Sequence, residues 1–300
     1  MMIVNLLGLI GLVKVIIWLY SYIKSLCLLK ALPLTEVYGK NSWVVVTGAT
    51  DGIGLEYCKA FAREGFNIVM ISRSQEKLGL KKQEVQSVNA AIKIKVIAKD
   101  FTSADKAEFY SDLANKLEGL DISILANNVG FSIDNGFFKL TPQEIKDIFT
   151  VTVQSMYGMT KLLVPKLLKR KTRSGVINVT SVVGMFPMSV YQVYNASKGL
   201  LVKFVEDQSI HLHNTNVDML NVMPGLVATN MSGRKEGERL AIDFAQTTES
   251  HTAGVIQSMG NVSRTLGSFY HRAIYAPIWA FSEMLPLDLR YYLGKSASSA

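Results

Sequence analysis

The feature that most constrains the fold is a group of glycines placed between an apolar run and a helical pattern. Residues 43–47 (Trp-Val-Val-Val-Thr) read as a buried strand, and the helical pattern occupies residues 55–63. Three glycines lie between them: Gly48, Gly52 and Gly54. A strand, a glycine-rich turn and a helix N-terminus direct backbone N–H groups and the positive end of a helix dipole at a pyrophosphate. The pattern therefore predicts an α/β protein that binds a dinucleotide.

Further apolar runs alternate with helical patterns along the rest of the chain. The runs that read as strands are residues 67–71, 92–97, 122–126, 175–180 and 220–223. Alternation of strands with helices implies parallel pairing and right-handed crossovers. We therefore predict a Rossmann-type doubly wound parallel sheet of six or seven strands, with no clear sequence signal for the seventh.

A hydroxyl, a phenol and an ammonium group are predicted near the end of one strand. Tyr194 and Lys198 are four residues apart in a helical pattern, so both project from one helix face. Ser181 follows the strand at residues 175–180. An ammonium roughly 4 Å from a phenolate, at an effective dielectric of about 20, would lower the phenol pKa by about 3 units. We expect Lys198 to bring the pKa of Tyr194 toward neutrality, where a phenol can protonate a ketone oxygen that Ser181 also hydrogen-bonds.

These three residues stand among motifs that occur in a characteristic order. The chain carries T-G-A-T-D-G-I-G at residues 47–54 and N-N-V-G at residues 127–130, and Ser181 precedes Tyr194 by thirteen residues. In this order and spacing the motifs resemble the short-chain dehydrogenase/reductase superfamily over about residues 40–230. The resemblance implies an oxidoreductase with a nicotinamide cofactor.

Within the superfamily, the chain is most similar to the membrane-bound very-long-chain 3-oxoacyl-CoA reductases and their 17-beta-hydroxysteroid dehydrogenase relatives. The similarity lies in the N-terminal apolar segment, in Tyr38-Gly39, in the glycine motif and in Ile71-Ser72-Arg73-Ser74 followed by Glu76-Lys77-Leu78. That family lies in the endoplasmic reticulum and reduces the 3-keto group during fatty-acid elongation, and some members reduce steroid ketones. The resemblance implies a long-chain acyl-CoA ketoreductase, with a steroid 17-ketone as the alternative substrate.

The end of the second strand distinguishes NADP from NAD. An acidic residue there would hold the ribose hydroxyls of NAD, whereas this chain has Ser72 and Arg73. Arg73 can pair with a 2'-phosphate, so we predict NADP(H). The residues expected to contact the cofactor, several by resemblance alone, are Thr47, Gly48, Thr50, Asp51, Gly52, Ile53, Gly54, Ser72, Arg73, Asp100, Asn127, Gly130, Tyr194, Lys198, Pro224, Gly225, Val227 and Thr229.

The resemblance also assigns roles within this set. In the family, the residue matching Asp100 lies beside the adenine, the one matching Asn127 braces the central strands, and the glycine matching Gly130 leaves room for the cofactor. The segment matching residues 224–229 contacts the nicotinamide carboxamide, and the lysine matching Lys198 binds the nicotinamide ribose.

One position departs from the family pattern. The family usually has an asparagine whose main-chain carbonyl holds a water that relays protons to the lysine, and the aligned residue here is Thr152. Because the relay uses the main chain, threonine could preserve it at reduced rate. The catalytic candidates are thus Ser181, Tyr194, Lys198 and Thr152. The alternative is a reductase fold kept as a non-catalytic subunit of a larger membrane complex, such as a mitochondrial one.

The N-terminal segment is apolar over about the length needed to cross a bilayer. Residues 3–23 contain one charged residue, Lys14, and the whole chain is 49% hydrophobic. We predict an uncleaved membrane anchor at residues 1–30 and an amphipathic, membrane-associated tail at residues 261–300. Between them we expect the NADP-binding reductase domain at residues 40–260, with a substrate lid at residues 232–260.

The charge pattern predicts where this domain lies and excludes one class of partner. Lys24, Lys30 and Lys40 follow the apolar residues 3–23, which favours a cytosolic domain on the endoplasmic reticulum membrane, with a mitochondrial membrane as the alternative. The net charge of +8 lacks the module or interleaved aromatic residues of a nucleic-acid site. The expected partners are a lipid-like substrate, the membrane and either a second copy of the chain or a fatty-acid elongation complex. His211 and His213 would point to different helix faces, so no metal site is expected.

Overall fold

The computed structural model describes residues 2–133, 135–185, 188, 190–240 and 243–284. Its strands are β1 (Trp43–Thr47), β2 (Asn67–Ser72), β3 (Ile94–Ala98), β4 (Ile122–Asn127), β5 (Ser174–Val179), β6 (Val217–Val222), β7 (Arg239–Leu240), β8 (Asp243–Phe244) and β9 (Arg264–Thr265). Seven of them form a parallel sheet in the order β3-β2-β1-β4-β5-β6-β9, and β7 pairs with β8 as a short antiparallel hairpin. The predicted doubly wound parallel sheet is therefore confirmed.

Most helices lie in the connections between these strands, two precede β1 and one follows β9. They are α1 (Met2–Ile23), α2 (Leu34–Tyr38), α3 (Gly52–Arg63), α4 (Gln75–Val88), α5 (Ala107–Lys116), α6 (Pro142–Phe149), α7 (Ser155–Leu167), α8 (Gln192–His211), α9 (Thr248–Ser258) and α10 (Phe269–Met284). A π-helical turn at Thr150–Gln154 joins α6 to α7.

Apolar side chains cover the sheet on both faces. One core contains Phe61 of α3, Leu78 of α4 and Val255 of α9, each fully buried. The opposite core contains Leu113 of α5, Met159 of α7 and Leu201 of α8, which are also fully buried. Burial on both faces explains why the strands read as continuous apolar runs.

The seventh strand gave no sequence signal because it is very short. β9 consists of Arg264 and Thr265 alone, paired with Asn221 and Val222 of β6. Two residues are too few to show periodicity, and their pairing depends on where α9 ends. The sheet thus extends past residue 260, into the region predicted as a membrane-associated tail.

Within the segment predicted to form a lid, two parts differ in structure. Residues 248–258 form α9, which packs against α3 and contributes Val255 to the core. The hairpin β7–β8 and the turns before it lie outside the main sheet, and Arg234 is paired there with Glu238. The part that remains a candidate lid therefore lies before α9.

The N-terminal helix stands apart from both cores. α1 has 22 residues, which corresponds to a length of about 33 Å. Within the described residues, one window, Gly11–Leu28, is long and apolar enough to cross a membrane, with a mean hydropathy of 1.5 and no buried residue. The tail residues beyond Met284 lie outside the described part of the chain.

Candidate active site

The sequence motifs meet at the carboxyl edge of the sheet, because the ends of parallel strands lie along one edge. The side-chain amide of Asn128, after β4, donates to the carbonyl oxygens of Thr47 at 3.0 Å and Gly48 at 3.3 Å, at the end of β1. The N–H of Val182, after β5, donates to the carbonyl oxygen of Pro224, after β6. Asn128 lies inside the N-N-V-G motif but was not among the predicted site residues.

In the glycine turn between β1 and α3, backbone segments lie too close together for side chains. Gly48 and Gly52 have positive φ angles of 67° and 50°, which L side chains rarely adopt. A Cβ atom on Gly54 would lie 2.3 Å from the carbonyl oxygen of Gly48, so only glycine lets α3 begin here. The carboxylate of Asp51 caps α3 by accepting from Gly52 N–H at 2.7 Å. This turn and helix N-terminus fit the pyrophosphate of a dinucleotide.

The loop after β6 closes against the glycine turn. A Cβ on Gly52 would lie 2.9 Å from Cγ2 of Thr229, and the side-chain amide of Asn230 donates to the Asp51 carboxylate at 2.7 Å. A cavity of about 490 Å³ lies between the turn, the start of α3 and the loop. Val227 pairs with Gln246 in an isolated parallel bridge, which anchors the loop's other side. Asn230 was not among the predicted site residues, because its partner is 179 residues away.

The end of β2 presents a hydroxyl and a guanidinium group. Ser72 lies within 2.8 Å of Thr50, oxygen to oxygen, and this hydrogen bond ties the glycine turn to β2. Arg73 is exposed and makes no ion pair with any residue in the described ranges. Asp100 caps the turn after β3 by accepting from Thr102 N–H at 3.0 Å. An exposed, unpaired guanidinium fits a phosphate better than a diol.

Tyr194 and Lys198 lie on α8, and Ser181 lies at the end of β5. Lys198 is almost fully buried, donates to the carbonyl oxygen of Val179 at 2.7 Å, and has its Nζ 5.4 Å from the ring centroid of Tyr194. Ser181 Oγ accepts from Val183 N–H at 3.3 Å. Gly130 flanks the ammonium, because a Cβ there would lie 3.7 Å from Nζ of Lys198. The structure therefore places the phenol and the ammonium side by side.

The direction predicted for the Tyr194 pKa is wrong for the protein alone. Burial raises the pKa of the Tyr194 phenol, since desolvation penalises the phenolate. Burial also lowers the pKa of Lys198 to about 7, and its Nζ is directed at the Val179 carbonyl rather than at the phenol oxygen. Desolvation thus outweighs the attraction that the sequence argument took into account.

Comparison with known proteins identifies the family. The short chain dehydrogenase family profile matches residues 42–239. This chain belongs to the short chain dehydrogenases. As in that family, it is an oxidoreductase, and the predicted resemblance is confirmed.

The relatives of this dehydrogenase cover most of its length. It is 32% identical to very-long-chain 3-oxoacyl-CoA reductase-A of Danio rerio, over 87% of this chain and 79% of that protein. It is 32% identical to the very-long-chain 3-oxoacyl-CoA reductase of Bos taurus, over 85% and 80%. It is 31% identical to 17-beta-hydroxysteroid dehydrogenase type 3 of Danio rerio, over 78% of each chain.

Solved structures show the same fold at lower identity. A 7beta-hydroxysteroid dehydrogenase superposes with a TM-score of 0.73, at 21% identity, over 88% of this chain and 99% of the other. A short-chain dehydrogenase from Sphingobium yanoikuyae, solved with NADPH, superposes with a TM-score of 0.64, at 20% identity, over 82% and 97%. These similarities show that the dehydrogenase shares the fold of both structures.

Thr152 occupies the π-helical turn and contacts the loop that follows β4. Its hydroxyl lies 3.3 Å from both the N–H and the carbonyl oxygen of Phe131, so it accepts from one and donates to the other. Asn127, at the end of β4, donates to Thr160 at 3.1 Å and to Asn178 of β5 at 2.9 Å. Both residues therefore connect the central strands to the α6–α7 region, next to the candidate catalytic group.

Two histidines of the dehydrogenase lie in its interior. His251 of α9 and His271 of α10 are both fully buried. Burial, with a smaller contribution from His271, lowers the pKa of His251 to about 3, so His251 is neutral at physiological pH. No group of three metal-binding side chains occurs within the residues that the structure describes.

Proposed function

We propose that the protein reduces the 3-keto group of long-chain acyl-CoA with NADPH. The observation that carries the proposal is the buried Lys198 beside Tyr194 on α8, at the strand end where Ser181 lies. The proposal of an acyl-CoA substrate is based on the relatives named very-long-chain 3-oxoacyl-CoA reductase. They are 32% identical to this chain over the aligned residues.

When bound, NADPH would supply the hydride that the keto carbon takes up. The Tyr194 phenol donates its proton to the keto oxygen as negative charge develops there, and the Ser181 hydroxyl donates a hydrogen bond to the same oxygen. Lys198 binds the nicotinamide ribose and, as an ammonium, stabilises the phenolate that Tyr194 becomes. The main-chain carbonyl of Thr152 would hold the water that relays protons toward Lys198.

The raised pKa of Tyr194 bears on when this chemistry can occur. A buried phenol beside a lysine whose pKa is about 7 stays protonated, so it is ready to donate. Anionic phosphates bound near the glycine turn would favour the ammonium form of Lys198, which in turn favours phenolate. The Tyr194 phenol is therefore protonated in the free protein, and it becomes a better proton donor when the cofactor is bound.

We propose NADP(H) rather than NAD(H) because of Arg73. Its guanidinium is exposed at the end of β2 and has no partner among the described residues, and Ser72 beside it is fixed by Thr50. Replacing Arg73 with alanine is expected to weaken NADPH binding by about 1.5 to 3 kcal/mol, the usual contribution of a charge-assisted hydrogen bond. NADH binding should stay nearly unchanged, because NADH has no 2'-phosphate. Titrations of cofactor fluorescence measure both constants.

A matched control for this variant is Lys77→Ala. Lys77 is an exposed cation in the first turn of α4, four residues from Arg73. If the general positive charge of this region matters, both variants weaken NADPH binding equally. An equal loss of NADPH and NADH binding in Arg73→Ala would contradict the assignment of the 2'-phosphate.

We propose that α1 spans the endoplasmic reticulum membrane and that the reductase domain is cytosolic, with a mitochondrial membrane as the alternative. The support is an apolar helix of about bilayer length, followed by Lys24, Lys30 and Lys40. After extraction of membranes at alkaline pH, the protein is expected to remain in the pellet. Release into the wash would show that α1 does not span the bilayer.

A steroid ketone is the second candidate substrate. The specific observation in its favour is the 31% identity to 17-beta-hydroxysteroid dehydrogenase type 3. The experiment that separates the two is NADPH oxidation by the purified full-length protein with 3-ketoacyl-CoA and with 17-ketosteroids, side by side. We expect a kcat/KM at least tenfold higher for the acyl-CoA, and a steroid preference would replace the proposed substrate.

A further inference from the structure

The C-terminal helix α10 packs directly behind the loop that follows β6. A Cβ atom on Gly225 would lie 2.5 Å from Cε2 of Tyr275 and 3.1 Å from Nε2 of His271. A contact of 2.5 Å is closer than any real Cβ contact, so the loop and α10 touch without space between them. A methyl group at position 225 would therefore displace the Tyr275 ring, so glycine at this position lets α10 lie against the loop.

The same helix is fastened to the end of the N-terminal helix. The Tyr22 hydroxyl donates to the carbonyl oxygen of Ala273 at 3.0 Å, and Arg272 donates from Nη1 to the carbonyl oxygen of Ser25. Arg272 is only 5% exposed. Burying a guanidinium is costly unless its donors find acceptors, and undocking of the chain at Ser25 would remove the acceptor of Nη1.

Helix α9 and the loop after it also contact the segment that follows α1. Arg272 also donates from Nη2 to the side-chain carbonyl of Gln257 at 3.3 Å, and the Gln257 amide donates to the carbonyl oxygen of Leu29 at 2.9 Å. The amide of Asn261 donates to the carbonyl oxygen of Lys30 at 2.9 Å. Side chains from α9, α10 and the loop after α9 therefore hold the segment from Tyr22 to Lys30 at several points. The segment from Tyr22 to Lys30 therefore packs against the domain through these hydrogen bonds.

We propose that Arg272 is a positioning residue for the cofactor. The Arg272 hydrogen bonds attach α10 to the segment that follows α1. Because α10 packs against the loop at residues 224–229, it stabilises the conformation of that loop. The inference rests on the proposed function in one respect, that this loop contacts the nicotinamide half of the cofactor. The consequence is that docking of the membrane-proximal segment sets cofactor affinity, and loss of the Arg272 contacts lets the loop relax away from the glycine turn.

The test measures NADPH dissociation constants for the full-length protein in detergent micelles, without any keto substrate. Arg272→Gln removes the charge and most donors, and we expect the dissociation constant to rise about tenfold. Arg272→Lys keeps a cation that can donate to Ser25, so its constant should rise less than threefold. The control is Tyr38→Phe, which removes a buried hydrogen bond to Asp218 at the opposite edge of the sheet.

Thermal unfolding of each variant separates positioning from general stability. Tyr38→Phe should lower the unfolding temperature while its NADPH constant stays within twofold of wild type. If Tyr38→Phe weakens NADPH binding as much as Arg272→Gln does, Arg272 acts through stability alone and the proposal is wrong. Unchanged binding in Arg272→Gln would overturn it as well.

A second pair of variants tests the contact itself should Arg272→Gln fail to fold. Gly225→Ala is expected to weaken NADPH binding at least tenfold, because the methyl group meets Tyr275. Adding Tyr275→Ala removes that ring and should restore most of the affinity. If the double variant binds as poorly as Gly225→Ala, the glycine is required by the cofactor and not by α10. Wild-type protein that fails to bind NADPH would instead contradict the proposed function, so the two failures are distinguishable.

Discussion

Replacing Tyr194 with phenylalanine is expected to lower turnover by about 10²- to 10⁴-fold, the usual contribution of a positioned general acid. The phenyl ring keeps its place beside Lys198, whose Nζ lies 5.4 Å from the ring centroid, so the variant loses the proton and little else. NADPH binding should persist within a few fold. Steady-state turnover with 3-ketoacyl-CoA and a separate NADPH titration measure the two effects.

Tyr157→Phe is the matched control, because it removes a phenol from the neighbouring helix α7. The Tyr157 ring packs on Phe204 of α8 with 4.1 Å between centroids, and this packing survives the change. The control should keep near wild-type turnover. Equal turnover in Tyr194→Phe and wild type would show that another group protonates the ketone.

The second large effect is expected for Lys198→Met, which should lose turnover and also bind NADPH more weakly. Methionine fills a similar volume but cannot donate to Val179 or to a ribose, and it leaves no charge to favour the phenolate. In the cofactor-free protein the same change should raise the thermal unfolding temperature at pH 7, because a buried amine that is costly to protonate is gone.

The pH dependence follows from the lowered pKa of Lys198. The ordinary value is 10.5 and the folded value is about 7, so between these pH values the unfolded chain binds more protons than the folded one. The free energy of unfolding of wild type therefore rises with pH over this window, by up to about 1.4 kcal/mol per pH unit from this group. Below pH 7 both states bind the proton, and the contribution becomes constant.

The measurement is the thermal unfolding midpoint of wild type and of Lys198→Met at pH 7, 8 and 9. The difference between Lys198→Met and wild type should shrink as the pH rises. A constant difference across this range would mean that Lys198 is charged in the folded protein throughout.

The sequence predicted the parts of the fold that depend on local pattern. The run at residues 43–47 became β1 without change, and the glycines after it set the start of α3, three residues earlier than the apolar pattern indicated because Asp51 caps the helix. Glycine at position 54 has a clear physical reason in its 2.3 Å approach to Gly48. Features of this kind depend on residues that are close in sequence, so they can be predicted without the structure.

Features that depend on distant contacts could not be predicted. The pKa of Tyr194 is set by burial, which the spacing of two residues on a helix does not show. Asn230 meets Asp51 only through the closed loop, and Gly225 meets Tyr275 only because α10 packs behind it. The π-helical turn around Thr152 was not predicted either, and four of its five residues are buried. The predicted cofactor and catalytic roles of individual residues remain predictions.

The most direct test of the central proposal is transfer of deuterium from cofactor to product. Purified full-length protein is incubated with a long-chain 3-ketoacyl-CoA and NADPH that carries deuterium at the transferred position, and the product is examined by mass spectrometry. The account predicts 3-hydroxyacyl-CoA with one deuterium on carbon 3, formed by wild type and reduced at least a hundredfold in Tyr194→Phe. Unreacted 3-ketoacyl-CoA with wild-type protein that binds NADPH would contradict it.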